Sequence, residues 1–104
     1  MPGDIPSDRI YIIKMSRIDA IRQLVIYGMY YFTSHALEEL DRDDLDEFDV
    51  ETILLHGLIR RCWPHEHKYE ICGLSNDGRR IGVVCRITST NKLRVITEYE
   101  DKKK

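Results

Sequence analysis

The chain has 104 residues, 42% of them hydrophobic, which is enough for one core and too little for two, so it reads as one domain. Its unbroken apolar runs, such as Ile53 to Leu55, fall far short of the roughly 20 residues that cross a bilayer. The formal net charge of −2 argues against indiscriminate coating of nucleic acid, yet it averages two unlike halves: residues 1–56 carry 5 Lys+Arg against 12 Asp+Glu, and residues 57–104 carry 11 against 6.

The start, MPGDIPSDRIYIIK, lacks the basic patch, apolar stretch and cleavage site of a secretory signal, so a cytoplasmic protein with no membrane partner is expected. Residues 1–15 form a lead-in with Pro2, Gly3 and Pro6. From Ser16 the spacing becomes helical: Ser16 with Asp19 suggests a capping box, Ile18, Ile21, Leu24, Val25 and Met29 recur on one face, and Gly28 lies near the end. After the aromatic run Tyr30 to Phe32, Thr33 or Ser34 caps a second helix that turns Ala36, Leu37 and Leu40 inward and ends among Asp41 to Asp44. Asp46 caps a third helix, with Asp49 at its third position, Val50, Ile53 and Leu54 as its stripe, and Gly57 as a left-handed stop.

Beyond Gly57 the period shifts from 3.6 towards 2. Strands are expected over Leu58 to Trp63, His67 to Leu74, Arg80 to Thr88 and Leu93 to Tyr99, with a hairpin at Ser75-Asn76-Asp77-Gly78. Ile81, Val83, Cys85 and Ile87 should share one face, and Arg80, Gly82, Val84 and Arg86 the other. The expected architecture is α+β: three N-terminal helices packed on a four-stranded antiparallel sheet, with one domain over 16–100 and a charged tail over 101–104.

Three constellations could carry chemistry. Lys68, Arg79, Arg80, Arg86 and Arg94 fall on or beside adjacent strands and could gather on one surface. Metal-free RNA cleavage needs charge neutralised on the phosphate oxygens, which arginine supplies. His35 or His67 could exchange the proton, and Tyr69 or Tyr99 could donate one or stack on an unpaired base. Cys62, His65, His67 and Cys72 are zinc-type ligands, but neither cysteine has a close cysteine partner, so no metal is expected. The odd set Cys62, Cys72 and Cys85 makes a disulfide framework improbable and reads as small buried apolar residues. The acidic stretch Glu38 to Glu51 reads as solvated helix ends; it lacks the glycine of a calcium-binding loop.

The segments SHALEEL (Ser34 to Leu40), DVETILLHG (Asp49 to Gly57) and LSNDGRRIGVVCRI followed by KLRVITEYE resemble the domain-of-unknown-function family 4258 over roughly residues 16 to 100. That family is generally placed near the RelE-like and BrnT-like toxins, whose fold sets helices against a curved antiparallel sheet. The resemblance implies an mRNA-cleaving toxin that works on RNA, free or ribosome-bound, needs no cofactor and is silenced by a cognate antitoxin protein. Carried onto this chain, it implies His35 for proton transfer, Arg94 for phosphate binding, Lys68, Arg79 and Arg80 as further basic residues, and Tyr69 and Tyr99 as aromatic candidates. The alternative is a non-catalytic interaction module using the acidic helices or an exposed sheet edge.

Overall fold

The computed structural model describes residues 16–102; the expected lead-in and the last two residues of the expected tail lie outside the described residues. Helix α1, Arg17–Ile26, starts where the Ser16 hydroxyl accepts from the Asp19 backbone N–H at 3.2 Å. It stops because Gly28, at φ 72°, takes the left-handed conformation. Gly28 N–H then reaches Val25 O at 3.0 Å and Met29 N–H reaches Leu24 O at 2.8 Å, the paired bonds of a Schellman ending. Met29 therefore lies past the helix and is exposed, not part of its buried stripe of Ile21, Leu24 and Val25.

The aromatic run Tyr30–Phe32 is a strand, β1, where the sequence suggested only a connection. It pairs in parallel with the last strand, Tyr30 opposite Leu93 and Phe32 opposite Val95. Three residues are too few to display a period, and their partner lies far along the chain, so nothing local announces the strand.

Helix α2, Ser34–Arg42, is capped by the Thr33 hydroxyl, which accepts from Ala36 N–H at 3.0 Å. Its buried residues are Ala36 and Leu40; Leu37, expected inward, is 45% exposed. A second Schellman ending follows, with Asp44 at φ 55° in the place glycine usually takes. Helix α3, Glu47–His56, has a complete capping box between Asp46 and Asp49 and buries Val50, Ile53 and Leu54.

Gly57 is extended rather than left-handed. What demands glycine there is close approach: a Cβ would sit 2.5 Å from Cys72 O and 2.7 Å from Ile53 O. The Gly57 carbonyl also accepts from the Arg22 guanidinium at 2.8 Å, tying α1 to this crossing.

Strands β2 (Leu58–Trp63), β3 (Lys68–Leu74), β4 (Arg80–Ile87) and β5 (Leu93–Glu100) follow, with a single 3₁₀ turn at Pro64–Glu66 between β2 and β3. The sheet order is β1-β5-β4-β3-β2. The expected four-stranded antiparallel sheet is thus corrected to a five-stranded mixed one, with one parallel pair at an edge and a strand between the first two helices.

The helices cover one face, where Tyr69, Ile71, Ile81, Val83, Cys85, Leu93 and Val95 are buried against Ile21, Ala36, Val50, Ile53 and Leu54. Each buried valine, leucine or isoleucine among them contributes about 1.5–3 kcal/mol relative to exposure. Of the cysteines only Cys85 is buried; Cys62 is exposed and Cys72 half-buried, a correction to the expectation of three core thiols. No helix among the described residues is long and apolar enough to cross a membrane.

Candidate nucleic-acid interface

Register, more than sequence proximity, assembles the site. Trp63 on β2 lies opposite Lys68 on β3, Lys68 opposite Arg86 on β4, Arg86 opposite Arg94 on β5, and Arg94 opposite Tyr31 on β1. Directly opposed residues share a face. Arg94 stands between buried Leu93 and Val95, and Lys68 precedes buried Tyr69, so the row lies on the face away from the helices. Among the described residues no helix covers it. At about 4.8 Å between strands, the five residues span about 19 Å, with aromatic rings at both ends and three cations between.

The cations are unequally engaged. Lys68 reaches Glu66 at 3.3 Å and sits 4.8 Å from the Trp63 ring centroid. Arg86 and Arg94 have no ion pair among the described residues, although like charges placed directly opposite destabilise a strand pair. Such a pair is ready to be neutralised by an anion. Beside it opens a shallow cavity of about 450 Å³ lined by His67, Arg86, Ile87, Thr88, Ser89 and Arg94.

Two bulges shape the rest of this face. In β5 the pairing passes from Cys85 opposite Val95 to Val84 opposite Thr97, leaving Ile96 as the extra residue. Alternation from Leu93 and Val95 would have sent Tyr99 inward and Glu98 outward; the bulge reverses both. Tyr99 consequently lies over Gly82, where a Cβ would meet its ring at 2.4 Å. In β2 the extra residue is Arg60, which reaches across the sheet.

Arg60 donates to Glu70 Oε2 from Nε at 2.8 Å and to Asp101 at 3.1 Å. Tyr99 accepts from Arg60 and donates to Glu70 Oε2 at 2.8 Å. Burial acts to raise the Glu70 carboxyl, but the hydrogen bonds from Tyr99 and Arg60 outweigh it and hold the group below the usual carboxylate range. Burial, reinforced by Glu70, pushes the Tyr99 phenol up to about 12. This network is internally satisfied, so its hydroxyl and guanidinium are committed to each other.

Glu98 is dropped among core side chains with no exposure, and neither carboxylate oxygen has a hydrogen-bond partner among the described residues. Burial, with Glu39 and Asp43 nearby, raises its pKa to about 7.

The residues expected from sequence thus separate. Lys68, Arg86 and Arg94 come together in the row, and Arg80 shares their face at the far end of β4. Tyr99 belongs to the Arg60–Glu70 network. Tyr69 is 1% exposed in the core on the opposite face. Arg79 is taken up by Asp77 and by the carbonyls of Asp43 at 2.9 Å and Asp44 at 2.7 Å, where it pins the hairpin to the α2–α3 loop. His35 stands at the start of α2, 3.7 Å from Glu39, and does not line the arginine cavity.

For the zinc-type set, Cys62 lies opposite core Tyr69 while Cys72 lies opposite outer-face Gly82, so the thiols diverge. Among the described residues no three His, Cys, Asp or Glu side chains converge as metal ligands. Sequence reasoning missed Tyr31, Trp63, Arg60 and Glu70, whose relevance exists only in cross-strand register. His67 was visible as a candidate acid or base, but nothing in the sequence placed it beside the arginines.

The family described as "Domain of unknown function (DUF4258)" matches residues 32–100, and the chain belongs to that family. The match covers Phe32 at the end of β1, then α2, α3 and strands β2 to β5, hence every residue of the basic row except Tyr31. No curated protein and no solved structure matches the chain.

Proposed function

We propose that this member of the DUF4258 family binds single-stranded RNA across the helix-free face of its sheet and cleaves it without a metal, as the toxin of a toxin–antitoxin pair. The observation that carries the reading is the opposed pair Arg86 and Arg94, unpaired among the described residues and set in a row that ends in Trp63 and Tyr31. Arginine forks suit phosphate, and charge building on the phosphate oxygens during cleavage would meet two guanidinium groups held by the sheet. Aromatic faces favour unpaired bases, which a duplex keeps stacked away. The toxin role and its antitoxin partner are supported by the resemblance of the SHALEEL, DGRR and KLRVIT segments to proteins placed near RelE-like and BrnT-like toxins.

The test is tightly controlled induction in bacteria beside anisotropy measurements with a fluorescein-labelled single-stranded RNA. Wild type should arrest growth and bind the RNA, while Arg94→Ala should fail to arrest growth, bind the RNA more weakly and keep its fold. Unimpaired growth and absent binding with soluble wild-type protein would sink the reading.

A second reading, a non-catalytic interaction module, is favoured by a separate observation. Tyr27 (73%), Ile26 (64%) and Phe48 (64%) are exposed, and Leu37 and Tyr31 line a shallow depression along edge strand β1. It predicts a stable protein partner and no RNA cleavage.

A further inference from the structure

We infer that His67, rather than His35, is the proton-transfer residue of this face; the inference rests on the RNA-cleavage reading above and deepens it. His67 follows the 3₁₀ turn and sits in the left-handed region, φ 52° and ψ 37°. Its backbone is fixed from both sides: its N–H donates to Pro64 O at 3.1 Å and its carbonyl accepts from Ile87 N–H at 3.0 Å. A left-handed non-glycine residue costs on the order of 1 kcal/mol or more and persists only where its surroundings enforce it. Here the enforced conformation sets the imidazole at the wall of the cavity that Arg86 of β4 and Arg94 of β5 also line, with Thr88 and Ser89 from the following loop.

The side chain is exposed, and no hydrogen bond or ion pair among the described residues engages it. His67 lines the same cavity as Arg86 and Arg94, so a phosphate bound there by the arginines would come within reach of the imidazole. His35 has none of these relations. Its partner is Glu39, one turn along the same helix.

In the step this geometry allows, neutral His67 takes the proton of the ribose 2′-hydroxyl as that oxygen attacks phosphorus. The bond from the 2′-oxygen to phosphorus forms and the bond from phosphorus to the 5′-oxygen breaks. The departing oxygen keeps the electron pair and takes a proton from water, giving a 2′,3′-cyclic phosphate and a 5′-hydroxyl. The imidazolium then returns its proton to solvent. Arg86 and Arg94 face the non-bridging oxygens throughout.

The deciding variant is His67→Asn, because asparagine tolerates the left-handed backbone but exchanges no proton near neutral pH. Two readouts are taken on the full chain: binding of a fluorescein-labelled 2′-deoxy oligonucleotide, which cannot be cleaved, and cleavage of the matching RNA with and without ribosomes. Unchanged deoxy-oligonucleotide binding with cleavage reduced about 10²- to 10⁴-fold, and loss of the acid limb of the pH–rate profile, is the expected result.

Wild-type cleavage by His67→Asn would overturn the assignment and leave the nuclease reading standing, as would activity lost in His35→Asn but kept in His67→Asn. Binding and cleavage lost together would make His67 a ligand or structural residue and overturn its proton-transfer role. Wild type that binds the oligonucleotide but cleaves no RNA would remove the nuclease reading and this assignment with it.

Discussion

Arg86 and Arg94 confront each other on neighbouring strands and have no acidic partner among the described residues. The arrangement costs the folded protein what a ligand regains. Arg86→Thr should therefore raise stability by about 0.2–1 kcal/mol in thermal melts while weakening RNA binding. Replacing either arginine by alanine should lower the slope of log affinity against log salt by about 1. Arg86 and Arg94 were legible in the sequence because simple alternation already sets them beside buried neighbours. Glu98 was not, since a single extra residue in β5 inverts the alternation after Val95. Its raised pKa, about 7 against 4.5 when free, means the folded chain holds a proton that the unfolded chain has released. Stability from this group is thus fully present below about pH 4.5 and is lost as the pH rises through about 7. Melting curves of wild type beside Glu98→Gln should show that decline flattened in the variant, and identical pH dependence would count against it.

Among the elements, the helices were the most legible because their signals are local: hydroxyl or carboxylate caps at Ser16, Thr33 and Asp46, and apolar residues three and four apart. Even so, the helix stops were read less well than the starts. The sequence marks Gly57 as a left-handed ending, yet its requirement is steric and set by the carbonyls of Ile53 and of Cys72, the latter on strand β3. Gly57→Ala should cost about 1–3 kcal/mol in chemical unfolding because backbone atoms, not a movable side chain, oppose the new methyl. The true left-handed ending without glycine is Asp44. Asp44→Gly should stabilise the protein by up to about 1 kcal/mol, provided the carbonyl that accepts from Arg79 stays in place. Strand β1 escaped the sequence reading because three residues carry no period and its order comes from pairing across the molecule. For the same reason the aromatic end of the basic row at Tyr31 escaped it too.

At the scale of the whole molecule, the charge asymmetry along the chain becomes an asymmetry in space. The acidic stretch lies on helices over one face, while Lys68, Arg80, Arg86 and Arg94 lie on the other. RNA should accordingly approach from one side, with an association rate that falls steeply as salt rises, measurable by stopped flow. The sequence-based α+β class was right about the helices and the hairpin and wrong about the sheet, because one parallel pair depends on residues as far apart as Thr33 and Ile96, 63 positions along the chain. That pairing bears on how the protein is made. Strand β5 follows β1 and β4 along the chain, yet it lies between them in the finished sheet. Until it emerges, both neighbours offer open edges to any other nascent chain, and Arg94 has not yet reached Arg86. The opposed arginine pair therefore exists only once β5 has been made and has docked, so a chain cut before Leu93 should be insoluble in the cell where it is made.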